Sequence, residues 1–454
     1  MSCNTRPSQK IVVVEKKSSV SRGKVCRDQI DIKYHPEVLT SFFFRRPSDR
    51  VVDLIRIAGA VAHADRRVTR RPSICWGRDI ELDVPVCDLE FWRSVEGTLS
   101  SLLNLLSGDE WSFSFRRMED PSNIPETGFL RFPPNGEIAT AFSNGLDSFS
   151  VARLVASGHA SLESSSGGPK SLILVTTGRK LQLAGTPDQF GRATRQVSVP
   201  FTIARRGKRF QLRESSYRTR GFIFQSLAAL AAAESQSNIV VVGEAGQGSL
   251  GPWLTPVGGE SPDLRTHPYF TNALREFLAL VLNREIKFEH PFIWQTKGEV
   301  LKRLVEANLH TGWQSTHSCA VQARHLDSSG VLLQCGLCPN CLLRRQSLMA
   351  AGLNDPHGYD YQSISEDESD PRLRRRVAQG LMPLIELAGL TRDPMLKRIF
   401  GRELSKFSKR MALDVIEVEK RAEHLISEHR RELRSFVRAR PVGSLIRELG
   451  EAFT

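Results

Sequence analysis

The sequence predicts an α/β protein with a central parallel-sheet unit, an α+β unit before it and a helical region after it. Short β-rich segments alternate with amphipathic helical segments between residues 137 and 307, which is the order of βαβ units. Before this region the strand-like segments are short and partly alternating. After residue 366 the apolar residues recur at helical spacing. We therefore divide the chain into residues 1–135, 136–365 and 366–454.

The first unit contains four β-rich segments and two segments with apolar residues at helical spacing. Residues 118–136 hold four prolines among polar residues and are predicted to be a linker. The predicted strands are 10–14, 29–34, 80–86 and 111–116, and the predicted helices are 48–63 and 89–106.

The central unit alternates strand and helix. Because parallel strands joined by helices are covered on both faces, ligands are expected at the carboxyl ends of the strands. The predicted strands are 137–142, 171–177, 196–203, 238–243 and 285–289, and the predicted helices are 148–157, 216–233, 267–283 and 297–307.

The last unit is basic. The chain carries a formal charge of +13, and residues 371–454 contain 19 lysines and arginines against 11 aspartates and glutamates. This excess favours an anionic partner, whether nucleotide phosphates, an acidic protein or a nucleic acid, and a solvated basic surface explains it equally well. Residues 365–370 form an acidic boundary, and the predicted helices are 373–388, 395–407 and 412–437.

The composition is that of a soluble globular protein, with 40% hydrophobic and 25% charged residues. No apolar run approaches the roughly 18–20 residues that cross a bilayer. Residues 1–17 lack the pattern of a secretory signal. We expect a cytoplasmic protein that has no membrane partner.

A polar turn lies between the first predicted strand and the first predicted helix of the central unit. Backbone amides and a helix amino terminus bind anions at such a place. Gly145 lets the main chain approach a phosphate, the serines offer hydroxyls, and Asp147 can hold Mg²⁺ or order the loop. Asn144 tolerates left-handed backbone angles better than most residues. The candidate phosphate-binding residues are Ser143, Asn144, Gly145, Leu146, Asp147 and Ser148.

The eight cysteines fall into two groups. Four are scattered in the first ninety residues and are predicted to be buried thiols. The other four are clustered, and four thiolates at this spacing predict a closed, tetrahedral Zn²⁺ site. Unliganded thiols, a redox pair and an iron–sulfur cluster are the alternatives. Arg344 and Arg345 are expected to offset the negative charge of the site. The candidate metal ligands are Cys319, Cys335, Cys338 and Cys341.

Several motifs, taken together and in order, resemble a known family. Residues 143–148 resemble the Ser-Gly-Gly-x-Asp-Ser signature of PP-loop ATP pyrophosphatases, with Asn144 in place of a glycine. Residues 316–341, with Thr-His-Ser-Cys and Cys-Gly-Leu-Cys-Pro-Asn-Cys, resemble the zinc segment of the 7-cyano-7-deazaguanine synthase (QueC) family. The resemblance spans residues 137–345 and implies a PP-loop fold. It also includes segments 241–244, 261–265 and 296–300.

The resemblance implies an AMP- and pyrophosphate-forming carbon–nitrogen ligase that uses ATP, Mg²⁺ and Zn²⁺. A 7-carboxy-7-deazaguanine-like acid would become an acyl adenylate, and an amine would then give an amide or a nitrile. Asp147 and Ser148 are the implied catalytic residues. For the implied arginines and Asp263, solvated side chains or a surface ion pair are the alternatives. The other implied residues are Thr176 and Thr177 for adenosine, Arg218 and Arg220 for phosphate, and Gly243, Glu244, Asp263 and Arg265 for the acid.

The added units, Asn144, and His317 in place of a tryptophan resemble the long QueC-like proteins of bacterial anti-phage systems, among them the Qat type. In that setting we expect a protein partner, and the accepting amine is ammonia or a protein amino terminus. Two other functions stay open. One is a degenerate PP-loop module that binds nucleotide or a partner without catalysis, which Asn144 favours. The other is a PP-loop enzyme acting on tRNA, which the absence of cysteines between residues 137 and 307 disfavours.

Overall fold

The structure is a computed structural model. The predicted boundary at residues 365–370 and most of the predicted linker lie outside the residues it describes, as do Cys3, Cys26 and Cys75. Cys87 is described and is partly buried. The described residues are 8–13, 29–34, 48–71, 76–119, 137–164, 168–177, 194–199, 201–205, 214–256, 260–320, 333–355, 358–361, 371–390 and 394–451.

The described residues form ten strands and fourteen α-helices. The strands are β1 (Ser8–Val13), β2 (Gln29–Tyr34), β3 (Asp79–Val86), β4 (Glu110–Arg117), β5 (Ile138–Ala141), β6 (Leu172–Thr177), β7 (Thr194–Val199), β8 (Phe201–Arg205), β9 (Ile239–Val241) and β10 (Lys287–Glu289). The helices are α1 (Asp49–Arg67), α2 (Leu89–Ser94), α3 (Glu96–Ser107), α4 (Leu146–Ala156), α5 (Arg220–Glu234), α6 (Gly246–Ser249), α7 (Gly251–Leu254), α8 (Pro268–Leu282), α9 (Lys297–Glu306), α10 (Pro339–Ala350), α11 (Pro371–Gly389), α12 (Pro394–Met411), α13 (Val415–Arg438) and α14 (Leu445–Glu451).

The strands make two five-stranded sheets. The central sheet has the order β10-β9-β5-β6-β7 and all its pairs are parallel, which confirms the predicted α/β class. The other sheet has the order β4-β3-β1-β2-β8. Its first four strands also pair in parallel, and only β8 is antiparallel. The first unit is therefore organised as α/β, with helices between parallel strands, and not as the expected α+β.

One predicted strand is divided between the two sheets. Residues 196–203 were expected to form a single strand, but β7 belongs to the central sheet and β8 pairs with β2 of the first sheet. Pro200 stands between them in the sequence, and proline has no amide hydrogen to give to a ladder. The first sheet thus contains a strand from the central part of the chain.

Helix α5 connects the two sheets. Its alanine- and leucine-rich sequence is buried on nearly every side, because it packs against β5 and β6 on the central sheet and against α1 on the first. One continuous apolar core accordingly includes residues of both sheets. The helix begins at Arg220, four residues later than predicted, after a buried Thr219.

The carboxy-terminal helices form two smaller cores against the central unit. Helix α13 packs against α10, α11, α12 and α14. Helix α10, which starts inside the cysteine cluster, was not among the predicted helices. None of the described helices is both long enough and apolar enough to cross a membrane.

Candidate functional site

A cavity of about 510 Å³ lies at the carboxyl ends of β5 and β9. Ala141, the last residue of β5, lines it, and so do Gly243 and Glu244, which follow β9. The chain runs from β5 to β6 on one side and reaches β9 on the other, so β5 and β9 flank the topological switch point of the sheet. Parallel α/β sheets bind ligands at this position.

The predicted phosphate turn connects β5 to α4. Gly145 caps α4, and no side chain accepts a hydrogen bond from the first amides of this helix. A Cβ atom at Gly145 would lie 3.0 Å from the Ser143 Oγ, so a larger residue would fill the turn. An open helix amino terminus beside a glycine fits a bound phosphate.

The turn does not use left-handed backbone angles. Gly145 has a φ of −86°, and Asn144 does not have a positive φ. The tolerance of asparagine for left-handed angles is therefore not what allows Asn144 at this position. A residue with a side chain can adopt the Asn144 backbone, so the departure from glycine at this position carries no left-handed strain.

The two serines of the turn face each other, with their hydroxyl oxygens 3.0 Å apart. The Ser148 hydroxyl donates to the carbonyl oxygen of Ser143 at 2.7 Å, and the amide of Gly145 donates to the Ser143 hydroxyl at 3.2 Å. Both serines line the cavity. Their hydrogen bonds order the turn.

Asp147 lies beside one cation and one further carboxyl group. Its carboxylate pairs with the ammonium of Lys297 at 2.6 Å. Burial and the charge of Asp147 raise the pKa of Glu244 to about 8, although Lys297 and Arg220 act in the opposite direction. Glu244 thus keeps its proton at neutral pH, and the three groups together are neutral. Mg²⁺ held by Asp147 and Glu244 would release that proton, because a carboxyl group binds a metal in its ionised form.

The carboxy-terminal region supports Lys297. Thr296 caps α9 in a capping box with Glu299 and also donates to the buried carboxyl group of Glu432 on α13, at 2.6 Å. Burial raises the pKa of Glu432 to about 7. The amide of Lys297 donates to the Gln247 side chain at 2.7 Å. The start of α9, and with it the Lys297 side chain, is fixed from two sides.

Two arginines line another part of the cavity. Arg220 and Arg265 both belong to its wall, and both pair with Asp263, which is not among the described lining residues. Asp263 thus holds the two guanidinium groups near each other. Burial raises the pKa of Asp263, although the charges of Arg220 and Arg218 act in the opposite direction. Arg218 faces away, because it pairs with Glu260 at 3.1 Å and lies over the Trp76 ring.

Several predicted residues do not reach the cavity. Leu146 is fully buried in the apolar core behind the turn. Thr176 is also fully buried, and its hydroxyl points toward the carbonyl oxygen of Val197. Thr177 and Asn144, like Thr176, are not among the described lining residues.

The four predicted metal ligands come together. Their sulfur atoms all lie within 4.8 Å of one another, and two of the pairs are 3.9 and 4.0 Å apart. Tetrahedral zinc with bonds of about 2.3 Å requires sulfur–sulfur distances of about 3.8 Å. Backbone amides of Cys335 and Cys338 donate to ligand sulfurs, as at thiolate sites. The arrangement fits one tetrahedral ion, and it is too compact for a cluster of several irons.

The cysteine cluster adjoins the phosphate turn. Cys319 and the two residues before it line the cavity, and the amide of His317 donates to the Asn144 carbonyl at 2.6 Å. Arg344 does not face the sulfurs as expected, because it binds Asp355 and Thr316. Arg345 lies over Tyr359, whose ring packs against the cluster. The metal segment therefore holds one side of the turn.

Sequence reasoning missed Lys297, His317 and Tyr217 as cavity residues. Lys297 lies in the segment 296–300 that carried the family resemblance, and a lysine at the start of a capped helix was the signal that could have identified it. His317 also lies in a segment that carried the resemblance, but no role in the cavity was predicted for it, and Tyr217 gave no signal. Their positions depend on contacts between segments that are distant in the sequence.

Two comparisons with known proteins agree with this geometry. A family model described as "Queuosine biosynthesis protein QueC" matches residues 202–352, which include both arginines of the cavity, Lys297 and the cysteine cluster, but not the phosphate turn. A 7-cyano-7-deazaguanine synthase of Syntrophobacter fumaroxidans is 40% identical over 74 residues, or 16% of this chain. The match spans only 28% of that relative's length. In this part of the chain the protein is similar to QueC.

Proposed function

We propose that this protein uses ATP to activate a 7-deazaguanine-type carboxylic acid as its acyl adenylate. The observation that carries the proposal is the composition of the cavity lining. An open helix amino terminus with Asp147 and Lys297 lines the same cavity as Arg220 and Arg265. Two anions, a nucleotide triphosphate and a carboxylate, are the reactants that such a lining suits. The partial similarity to a 7-cyano-7-deazaguanine synthase supports a 7-deazaguanine-type acid as the substrate.

In this reaction an oxygen of the substrate carboxylate attacks the α-phosphorus of ATP. The bond between the α-phosphorus and the oxygen that bridges to the β-phosphate breaks, and pyrophosphate leaves with the bond electrons. The amides at the start of α4 and the Lys297 ammonium stabilise the charge on the departing pyrophosphate. Mg²⁺, when bound, would neutralise further phosphate charge. Arg220 and Arg265 orient the attacking carboxylate.

The second half of the reaction needs an amine. Attack on the acyl carbon releases AMP and gives an amide. Ammonia would give the free amide and, after a second activation, the nitrile. A protein amino terminus would give a conjugate. We propose this product, together with a role in anti-phage defence beside a protein partner, because the chain carries residues on both sides of the segment that matches QueC. The basic region after residue 371 offers a surface for an anionic partner.

Pyrophosphate release tests the activation step. Purified protein with Mg²⁺–ATP should release pyrophosphate only when 7-carboxy-7-deazaguanine is present. Asp147→Ala should lower this rate at least about 100-fold, because Lys297 loses the carboxylate that holds its ammonium beside the turn. Asp83→Ala, which breaks a partly exposed pair on the first sheet, is the matched control and should keep the rate. An equal rate with and without the acid would contradict the proposal.

A non-catalytic nucleotide-binding module is the second candidate. Asn144 in place of glycine favours it, and so does a family match that begins after the turn. A binding module should bind Mg²⁺–ATP tightly by calorimetry and release no pyrophosphate under any condition.

Mass spectrometry separates the two possible products of the adenylating enzyme. After incubation with the protein, ATP and the acid, only conjugation would increase the mass of the partner protein.

A further inference from the structure

The segment before α5, residues 214–219, is attached to the first unit by hydrogen bonds. The amide of Glu214 donates to the carbonyl of Arg66 at 3.0 Å, and the Glu214 carboxylate accepts from the amide of Arg70 at 2.7 Å. The Arg70 guanidinium donates to the hydroxyl of Ser216 at 3.0 Å. The path of this segment is therefore set by α1 and the residues after it.

A fully buried carboxylate at the end of α1 fixes the last residue of the segment. One oxygen of Asp65 accepts from both the amide and the hydroxyl of Thr219, at 2.7 and 2.9 Å. The other oxygen pairs with Arg78 at 2.6 Å. Arg78 and Arg70 are held in turn by the buried carboxylate of Asp109, so the charges of this network are paired. Buried and paired charges of this kind hold a single geometry.

Tyr217, within this segment, has a strained backbone conformation. Its φ is +32°, in the left-handed region that residues with a side chain rarely adopt. Such strain persists only where the surroundings impose it, and it is concentrated at functional sites. The side chain of Tyr217 lines the cavity, and the Arg66 guanidinium lies 5.1 Å from its ring centroid.

Tyr217 lines the cavity together with two arginines. Phe224 lies one turn beyond Arg220 on α5, and both of them and Arg265 line the same cavity. The helix and the Arg265 backbone are close together, because a Cβ atom at Gly221 would lie 2.7 Å from the Arg265 carbonyl oxygen. The cavity lining thus combines aromatic surface with two guanidinium groups. A planar heteroaromatic ring that carries a carboxylate is the ligand that matches both features.

We infer that Tyr217 determines the choice of acid by stacking on its ring, and that Asp65 is a positioning residue that holds Tyr217 through Thr219. The first unit thereby builds part of the substrate wall. The inference rests on the proposed function, since it concerns the acid of that reaction. It assigns a role to a unit that the match to QueC does not include.

Calorimetry with two probes, 7-carboxy-7-deazaguanine and Mg²⁺–ATP, tests the role of Tyr217. Tyr217→Leu keeps apolar bulk and removes the aromatic face, so the affinity for the acid should fall about tenfold while the affinity for Mg²⁺–ATP stays within about twofold. Tyr217→Phe should retain the affinity for the acid. Equal affinity of the wild type and Tyr217→Leu for the acid would overturn the inference and leave the proposed function standing. A wild type that binds Mg²⁺–ATP but not the acid would overturn the proposed substrate and the inference together.

Thr219→Val tests the attachment to Asp65, because it removes one hydroxyl donor and keeps the backbone amide. We expect weaker binding of the acid by a few-fold and faster hydrogen exchange at residues 217–220. Asp83→Asn, on β3 of the first sheet, where the carboxylate pairs with Arg116, is the control and should change neither. Faster exchange with unchanged affinity for the acid would mean that the network is structural only, which contradicts the positioning role.

Discussion

The cysteine cluster and the phosphate turn border the same cavity but are built in different ways. All four sulfurs come from one short part of the chain, residues 319–341, and they lie close enough together to bind a single metal ion. The turn, residues 143–148, is completed by Lys297, Glu244 and His317 from three other segments. A metal centre can thus be read from the spacing of its ligands, whereas the charge balance of an anion site depends on the fold around it.

The two regions also differ in how their negative charge is balanced. Four thiolates would need a cation from solution, and a bound Zn²⁺ ion would offset half of their charge. Around Asp147 the chain itself supplies the cation, Lys297, and a proton on Glu244 removes the remaining charge. Loss of the metal should therefore disturb folding, whereas changes around the turn should disturb binding and chemistry.

Removal of one buried sulfur ligand should have the largest effect. Cys341→Ser removes one of four ligands and should abolish the binding of one zinc ion per chain. The loss should destabilise the fold, because structural zinc contributes on the order of 10 kcal/mol in small zinc domains. We expect a fall of several degrees in the melting temperature and weaker binding of Mg²⁺–ATP, because residues 317–319 line the cavity. Metal analysis and thermal unfolding measure these changes. Cys87→Ser, outside the cluster, should keep the zinc, and a fully stable Cys341→Ser protein without metal would contradict a structural site.

Lys297→Met should act on the turn and leave the fold intact. The substitution leaves Asp147 without its cation and removes a positive charge from the path of the departing pyrophosphate. Acid-dependent pyrophosphate release should fall about 100- to 1,000-fold, as when a charge-stabilising donor is removed from an active site. Arg303→Met, on the exposed face of the same helix, is the control and should keep the rate. A Lys297→Met protein that releases pyrophosphate at the wild-type rate would exclude this residue from the site.

Glu244→Gln should change how stability depends on pH. Because the pKa of Glu244 is raised to about 8 from 4.5, the folded protein keeps a proton that the unfolded chain loses. The wild type therefore loses stability as the pH rises from about 4.5 to about 8, and the glutamine variant avoids that part of the loss. The variant should melt at least about 2 °C above the wild type at pH 8, with a smaller difference at pH 5.

Thermal unfolding between pH 5 and pH 8.5 measures this difference. Glu285→Gln, at an exposed position, is the control and should follow the wild-type curve at every pH. A constant difference between Glu244→Gln and the wild type over the whole range would mean that Glu244 is ionised in the folded protein. The conclusion that Asp147, Lys297 and Glu244 are together neutral would then be wrong.

The sequence predicted the central sheet and the metal ligands because both depend on local patterns. Strand and helix alternation predicts a parallel sheet, and the turn after β5 follows from that order. The sequence could not predict that Arg218 turns toward Glu260 while Arg220 enters the cavity, because the start of α5 is set by the contact of Thr219 with Asp65. The parallel pairing of the first sheet was missed for a related reason: local patterns do not indicate which strands pair, and partners such as β1 and β3 are distant in the sequence.

Asn144→Gly, which restores the glycine of the PP-loop signature, should have the smallest effect. The contact that matters, from the His317 amide to the Asn144 carbonyl, belongs to the backbone and remains. The side-chain amide of Asn144 lies 3.5 Å from the Ser315 carbonyl, too far for a strong hydrogen bond. The added backbone freedom of glycine should cost about 0.5–1 kcal/mol of stability.

We expect the KM for ATP and the rate of pyrophosphate release to change less than about threefold in Asn144→Gly. If asparagine had instead made the turn inactive, glycine would raise the rate at least about tenfold, and that result would favour a degenerate binding module in the natural chain.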